Sequence, residues 1–459
     1  MSPRRAERRL TLHRVVAGPD HVPPLANFTP TRILVVEVEQ PLPCIEAGRS
    51  PAGQPYGAAE VLLRLHARPL GTLTVDLTGG SVPPARLREL IDAQCADIIG
   101  RHLASHAELD PATLTEPREP CALSPAPASA VSVIVPTCRR PDDLARCVDS
   151  ILATDYPQLE VIVVDNAPDD PRTAALVAHR YAGDDRVRWV AEPTPGASRA
   201  RNRGVRHAAG EIIAFADDDV VVDPHWIRAL AAALDAHPDV QCVTGLVLPV
   251  ALDTSVQLRF EQYGGFNRGY KPRLFDLAGQ RGDTLLYPYT AGAFGGLGNA
   301  AFRRSALRQP HAFNVTLGPG GPAFGAEDLD AFVTLLRGGG RLLYEPAALV
   351  RHRHREQYAD LRWQVFTYGA GFTAALVHWS LRERSVALEL LRRVPAVLPM
   401  AFGLRRGADA PHAVPDASLR VLNRLELMGF LYGPVAYGRA VLWRRRLAHR
   451  AAGGSGNTA

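Results

Sequence analysis

The sequence predicts an α/β fold: a mainly parallel sheet with helices on both faces, preceded by a small α/β unit and followed by helices. Three observations carry this expectation. From residue 131 onward, strand-like and helix-like segments alternate, as βαβ units do. The strand segments are continuous apolar runs, as strands buried on both faces require. One of these runs, Glu211-Ile-Ile-Ala-Phe-Ala216, delivers Asp217, Asp218 and Asp219 at its carboxyl end, where open α/β sheets keep their ligands.

Residues 1–121 read as an accessory α/β domain. Arg32-Ile-Leu-Val-Val-Glu-Val38, Ala59-Glu-Val-Leu-Leu-Arg-Leu-His66 and Gly71-Thr-Leu-Thr-Val-Asp-Leu77 have strand character. Pro84 then opens a helix in which Leu87, Leu90, Ile91, Cys95 and Ile98 share a face. No catalytic constellation falls in this unit. Residues 122–130 are a linker of Pro, Ala, Ser and Leu.

The main domain is expected over residues 131–355. Its first strand spans 131–136, followed by a helix over 141–152 with Leu144, Cys147, Val148 and Ile151 on one face. Strands over 159–164 and 187–190 alternate with helices over 171–181 and 197–209, and the acidic strand is the fourth. Residues 356–459 carry long helical stretches with arginine clusters and no strand pattern, which predicts a helical segment ending in a flexible tail.

Of the chain's 459 residues, 46% are hydrophobic and 22% charged, which is globular composition with room for two or three domains. A net charge of +5 does not demand a nucleic-acid partner. The six cysteines are scattered without a Cys-x-x-Cys pair, so neither a zinc site nor a disulfide framework is expected. The basic amino terminus has no apolar segment behind it, and no run of about 18 apolar residues occurs. The expected setting is cytoplasmic, with a surface position at the inner face of the cell membrane as its extension.

The acidic triplet is the strongest chemical signal. Adjacent carboxylates repel, and a divalent cation relieves that repulsion; hard oxygen ligands suit Mg²⁺ or Mn²⁺, which bridge carboxylates to diphosphates. An EF-hand is excluded by spacing, because the positions that need Gly and Glu hold Val222 and Arg228. The other strand ends carry matching chemistry. Pro136-Thr-Cys-Arg-Arg140 follows the first strand and Asp165-Asn-Ala-Pro-Asp169 the second. Gly196-Ala-Ser-Arg-Ala-Arg-Asn-Arg-Gly204 enters a helix, and its amino terminus suits phosphate. Gly325-Ala-Glu-Asp-Leu-Asp330 and Val350-Arg-His-Arg-His354 come later.

In this order, over about residues 131–355, these elements resemble the family 2 glycosyltransferases of GT-A fold, which are inverting enzymes. The resemblance implies transfer of a sugar from a nucleotide-diphosphate donor, a UDP-sugar being favoured, to an acceptor hydroxyl. It places Thr137, Arg140, Asp165, Arg199, Arg201, Asn202, Asp217 and Asp218 around the donor. It gives Asp219, Asp217 and His352 to the Mn²⁺ or Mg²⁺ ion, and Asp328, with Glu327 beside it, to general-base work. The glycine-rich stretch with Gly296, Gly298 and Asn299 is expected on the acceptor side. Two other readings compete. A sugar-phosphate nucleotidyltransferase would want glycines after the first strand, where Pro136 to Arg140 has none; a non-catalytic sugar-nucleotide-binding protein would not need Glu327 and Asp328.

Two carboxyl-terminal stretches, residues 394–402 and 427–439, are apolar, flanked by arginines and too interrupted to span a bilayer. With Trp443 and Arg444 to Arg446 they suggest contact with an anionic membrane surface, useful for a lipid-linked acceptor.

Overall fold

The computed structural model describes residues 28–105, 129–279, 286–290, 292–307, 312–403 and 417–454, with residues 12, 13, 16 and 25 ahead of them. Most of the 122–130 linker and the end of the tail lie outside these residues, as do the side chains of 394–403.

The accessory unit is a three-stranded sheet, β1 (Thr31–Glu37), β2 (Ala58–Leu65) and β3 (Arg68–Asp76), with β1 parallel and β3 antiparallel to β2. Helix α1 (Pro84–Ser105) covers one face, burying Leu87, Ile91, Cys95 and Ile99 against Val61, Leu63, Leu73 and Val75. The other face docks on the main sheet: Leu62 packs with Leu246, Leu248 and Leu349. A buried ion bridge reinforces this contact, with Arg64 binding Asp223 at 2.8 Å and Glu37 at 2.6 Å.

The main sheet follows the expected alternation: β4 (Val131–Thr137), α2 (Pro141–Leu152), β5 (Leu159–Asp165), α3 (Pro171–Arg180), β6 (Val187–Ala191), α4 (Ala197–His207) and β7 (Ile212–Ala216). Strands β6, β5, β4 and β7 are parallel neighbours in that spatial order, so the chain reverses direction across the sheet between β4 and β7. A crevice opens at such a switch point, outside the carboxyl ends of the strands.

Side-chain alternation divides the core in two. Ile134, Ile162 and Val164 face the layer of α4, whereas Val133, Val135, Val161 and Val163 face Leu144, Cys147 and Val148 of α2. Each such side chain, fully buried, contributes roughly 1.5–3 kcal/mol of transfer free energy.

Beyond β7, periodicity did not reveal β8 (Val220–Val222), α5 (Trp226–Ala236), β9 (Cys242–Pro249), α6 (Ser255–Tyr263), β10 (Arg273–Phe275), β11 (Asn299–Arg303) and β12 (Leu342–His352). Between β11 and β12 lies α7 (Glu327–Arg337), the helix that Glu327 and Asp328 open, with Leu329, Phe332, Val333 and Leu336 on its buried face as their spacing predicts. β11 inserts antiparallel between β7 and β9. The stretch expected to be an acceptor-side loop therefore ends in a central strand, and Asn299 begins it. Six of the nine strands still run in one direction; β8, β10 and β11 oppose them.

The carboxyl-terminal segment is helical as expected: α8 (Tyr358–Arg382), α9 (Arg384–Gly403) and α10 (Ala417–Gly454). α8 and α10 approach so closely that a Cβ at Gly369 would meet the Glu426 carbonyl at 2.2 Å, and one at Gly429 the Phe366 carbonyl at 2.2 Å. Pro434 sits inside α10 without ending it. α8 also braces the loop that leads into α7, since a Cβ at Gly371 would lie 3.1 Å from the backbone of Gly325.

Candidate active site

The register of the parallel strands brings the expected residues to one edge. Thr137 lies opposite Asp165 where β4 and β5 end, and its hydroxyl donates to Asp218 Oδ2 at 2.8 Å. Arg140 spans the triplet, with Nη1 donating to Asp218 Oδ1 at 3.2 Å and to Asp219 Oδ2 at 3.0 Å. Its charge is thus committed to holding neighbouring carboxylates together. Burial and the Asp219 charge push Asp218 up to about 6 despite Arg140 and Thr137. Asp165 is fully buried; it accepts from the Ala167 amide at 3.0 Å and from Trp189 Nε1 at 3.3 Å, and burial raises its pKa. The Trp189 ring is 39% exposed beside it. A flat aromatic next to an acceptor suits a nucleobase, yet in a five-residue strand nothing marks this tryptophan as different from a packing residue.

Arg201 organises the centre. Its side chain is 5% exposed and donates from Nη2 to Asp217 Oδ1 at 2.8 Å and from Nη1 to Glu327 Oε1 at 2.6 Å. Both terminal nitrogens of this guanidinium, expected beside the donor, are thus engaged within the protein, tying the end of β7 to the start of α7. Glu327 responds to opposing effects: burial pushes its pKa up, to about 7, even with Arg201 pulling against the rise. Arg199, two residues earlier on α4, makes no ion pair among the described residues. Its Nε, like that of Arg201, is buried without a hydrogen-bond partner, and desolvation lowers its pKa, an effect that Glu192 opposes and Arg444 adds to. An anion at that place would relieve both effects.

Asp328 is the partly open carboxylate of the pair. Its Oδ1 accepts from the Leu329 amide at 2.7 Å. Its Oδ2 looks towards Gly296, where an added Cβ would lie 3.7 Å away. Burial raises the Asp328 pKa, and the Asp217 charge adds to the rise. At Gly298 a Cβ would stand 2.6 Å from Asp217 Oδ2, so only glycine leaves that carboxylate its place. The loop before α7 carries strain where it turns the acids inward: Phe324 and Ala326 have φ of 71° and 67°.

Two expected site residues have side-chain amides that bond within the protein. Asn202 donates to the Phe313 carbonyl at 2.7 Å and accepts from its amide at 2.9 Å, pinning a loop to α4. Asn299 is fully buried; it donates to the carbonyls of Leu246 and Ala348 and accepts from Trp226 Nε1 at 2.8 Å. Each amide thus has hydrogen-bond partners inside the core.

The expected three-ligand metal set is not assembled. Asp217 is drawn to Arg201, and among the described residues no three His, Cys, Asp or Glu side chains form a metal cluster. Asp219 and His352 do meet, with Oδ1 and Nε2 3.4 Å apart and side chains 10% and 14% exposed. β12 pairs with β8 so that His352 lies opposite Val220, the residue after Asp219. Desolvation lowers the His352 pKa, which favours the neutral ring a metal needs. One carboxylate and one imidazole fit a Mg²⁺ or Mn²⁺ ion whose remaining positions go to diphosphate and water. Asp219 also lines a cleft of about 220 Å³ with Arg353, Arg355 and Gln357. A larger cavity of about 430 Å³, by Glu211 and Arg304, is at the opposite end of β7, away from these groups.

His354 and Glu261 join the site without having been foreseen as a pair. His354 Nδ1 lies 3.0 Å from His352 Nδ1, and its Nε2 lies 2.6 Å from Glu261 Oε1 on α6. The two-residue spacing of the histidines was visible in the sequence; the glutamate 93 residues away was not.

Residues 132–309 match the model of a protein family described as glycosyl transferase family 2. That span takes in β4 to β11 with Thr137, Asp165, Arg201 and the acidic triplet, and ends before Glu327. Among curated proteins, the chain is 24% identical over 245 residues to a glucosyl-dolichyl phosphate glucuronosyltransferase of Haloferax volcanii, covering 51% of this chain and 73% of the relative. It is 27% identical over 294 residues to the pre-mycofactocin glycosyltransferase of Mycobacterium tuberculosis, covering 64% of this chain and 55% of the relative. The chain thus spans little more than half of this second relative. Among solved structures it is similar to a mannosyltransferase of Pyrobaculum calidifontis in complex with GDP-Man and Mn²⁺, at 18% identity and a TM-score of 0.44, covering 66% of this chain and 87% of that one.

Proposed function

We propose that this chain, a glycosyltransferase carrying a family 2 glycosyl transferase domain, transfers a sugar from a nucleotide-diphosphate donor to an acceptor hydroxyl with inversion at the anomeric carbon. The observation that carries the reading is the convergence, at one end of the sheet, of the Thr137–Asp165–Asp218 edge, the Arg201 bridge and the partly open Asp328 carboxylate. In this reading Asp165 and Trp189 receive the base and Arg199 a phosphate. Asp328 Oδ2 takes the proton of the acceptor hydroxyl as it attacks from the face opposite the leaving diphosphate. Glu327 and Asp217, held by Arg201, line the same space. Gly296 and Gly298 leave room for the acceptor to approach.

Asp219 and His352 would hold a Mn²⁺ or Mg²⁺ ion. When bound, such an ion supplies Lewis-acid neutralisation of the diphosphate, worth several kcal/mol. Turnover of a nucleotide-sugar panel by purified protein is expected to stop in EDTA and to return with Mn²⁺, and NMR of the product should show an inverted anomeric configuration. Undiminished turnover in chelator would overturn the metal role, and retained configuration would overturn the single-displacement reading.

The acceptor in this proposal is lipid-linked, met at an anionic membrane surface. None of the described helices is long and apolar enough to cross a bilayer. On α10, however, Met428, Leu431, Val435 and Leu442 are exposed at spacings that put them on one stripe, with exposed Arg424 and Arg446 continuing it at either end. Trp443 is not part of that surface: it packs over Gly321, where a Cβ would meet its ring at 3.4 Å. Full-length protein is expected to co-sediment with anionic vesicles at low salt and to be released by salt. Leu431→Glu with Leu442→Glu should lower binding about tenfold or more, since each exchanges a membrane-inserting group for a charge. Protein that stays in the supernatant with anionic vesicles at low salt would make the stripe a purely structural surface.

A further inference from the structure

The Asp219–His352 contact poses a problem of proton placement that the surrounding residues solve. An imidazole can offer a lone pair to a cation only from a nitrogen without hydrogen, and which nitrogen that is depends on the partner of the other. His352 Nδ1 is 3.0 Å from His354 Nδ1, a distance that needs one proton between them. His354 Nε2 is 2.6 Å from Glu261 Oε1, so a proton sits on that nitrogen facing the carboxylate. With both rings neutral, His354 Nδ1 is then the acceptor and His352 Nδ1 the donor. The lone pair of His352 Nε2 is left directed at Asp219 Oδ1, 3.4 Å away.

Three features make this a built arrangement. α6, which carries Glu261, is set by a capping box in which Thr254 accepts from the Gln257 amide and the Gln257 side chain returns to the Thr254 amide. The His354 side chain is 1% exposed, with Phe260 and Phe266 ring centroids at 4.7 Å and 5.8 Å. Gly265, with φ of 39°, packs on the other Glu261 oxygen, and a Cβ there would stand 2.6 Å from Oε2.

We propose that Glu261 and His354 are positioning residues that hold His352 in its Nδ1–H tautomer, turning the Nε2 lone pair towards Asp219 and a divalent cation. The proposal rests on the metal reading given above, and carries it beyond the two ligands to the residues that prepare one of them. Lone pair and carboxylate facing each other repel when nothing lies between them; a cation between them turns that repulsion into two bonds. The affinity of the pair for metal therefore depends on residues that never touch it.

The test is Mn²⁺ binding by the substrate-free full-length protein, read by electron paramagnetic resonance, together with histidine ring ¹⁵N spectra. Glu261→Met removes the acceptor at similar volume, and His354→Phe removes the relay while keeping a ring between Phe260 and Phe266. Each should weaken Mn²⁺ about 10–100-fold, the usual effect of removing such support. Glu261→Gln, whose carbonyl can still accept, should lie between wild type and Glu261→Met. In the wild-type spectrum His352 should be the Nδ1–H form, and in His354→Phe that preference should be lost. Tight Mn²⁺ binding by wild type with both variants within twofold of it overturns the positioning role and leaves the metal reading standing. A His352 protonated at Nε2 in the wild type also overturns it. Wild type that binds no Mn²⁺, while still turning over donor, overturns the metal reading and this proposal together.

Discussion

Asp328→Asn is expected to lower kcat by about 10²–10⁴-fold, the range that a positioned general base supplies, with donor affinity within about twofold of wild type. The substitution keeps the shape of the side chain, and the Asn carbonyl can still accept from the Leu329 amide, so the α7 amino terminus stays formed. What is lost is the capacity of Oδ2 to take a proton. Asp165→Ala should behave in the opposite way. Its carboxylate stands at the β5 end beside exposed Trp189, and losing a hydrogen bond to a charged acceptor costs about 1.5–3 kcal/mol, roughly 10–100-fold in donor affinity. Calorimetric titration with donor and single-turnover rates separate the two. Equal loss of donor affinity in both variants would refute this division of labour. The pH profile follows from the same residue. A base works only when deprotonated, and burial raises the Asp328 pKa, so the acid limb of kcat/KM should lie above the ordinary aspartate range. With Glu327 adjacent, the limb belongs to the pair of carboxyls.

Arg201→Ala should destabilise the fold by about 3–5 kcal/mol, because it strands a buried carboxylate. Glu327 is 7% exposed and its Oε1 is 2.6 Å from the guanidinium. Without Arg201 the acid must desolvate alone or take up a proton, and either cost appears in stability. The midpoint of urea unfolding should fall with little change in slope. Adding Glu327→Gln to Arg201→Ala should recover part of the loss, since the stranded charge is gone; a double-mutant cycle measures that coupling. A loss under about 1 kcal/mol would show that water reaches Glu327 and that the bridge is not needed for burial. Catalysis should suffer separately, because Asp217 loses the contact that turns it from Asp219 towards the centre of the site.

Much of this architecture was legible in the linear sequence. In a parallel sheet, neighbouring strands end at the same edge, so the ends of successive apolar runs necessarily become neighbours. That is why Thr137, Asp165 and the triplet could be grouped before any contact was known, and why their register matches. Helix periodicity likewise marked Leu144, Cys147, Val148 and Ile151, all buried. The acids opening α7 were visible as a first-turn pattern.

Other features depend on pairings that local pattern does not encode. Asn299 to Arg303 is five residues of unremarkable composition, and only its fit between β7 and β9 makes it a strand and turns Asn299 inward. Arg199, Arg201 and Asn202 lie within one turn of α4, all suited to phosphate by type. Packing sends Arg201 to Glu327, 126 residues away, and Asn202 to Phe313, and leaves Arg199 without an ion pair among the described residues. The same holds for His354 and Glu261. The sequence alone determined the sheet edge at which the chemistry gathers, because strand and helix periods are local and parallel strands share an end. Only the tertiary structure decided which charged groups face the ligand and which face one another, because each charge pairs with whatever the crossovers bring within about 3 Å of it.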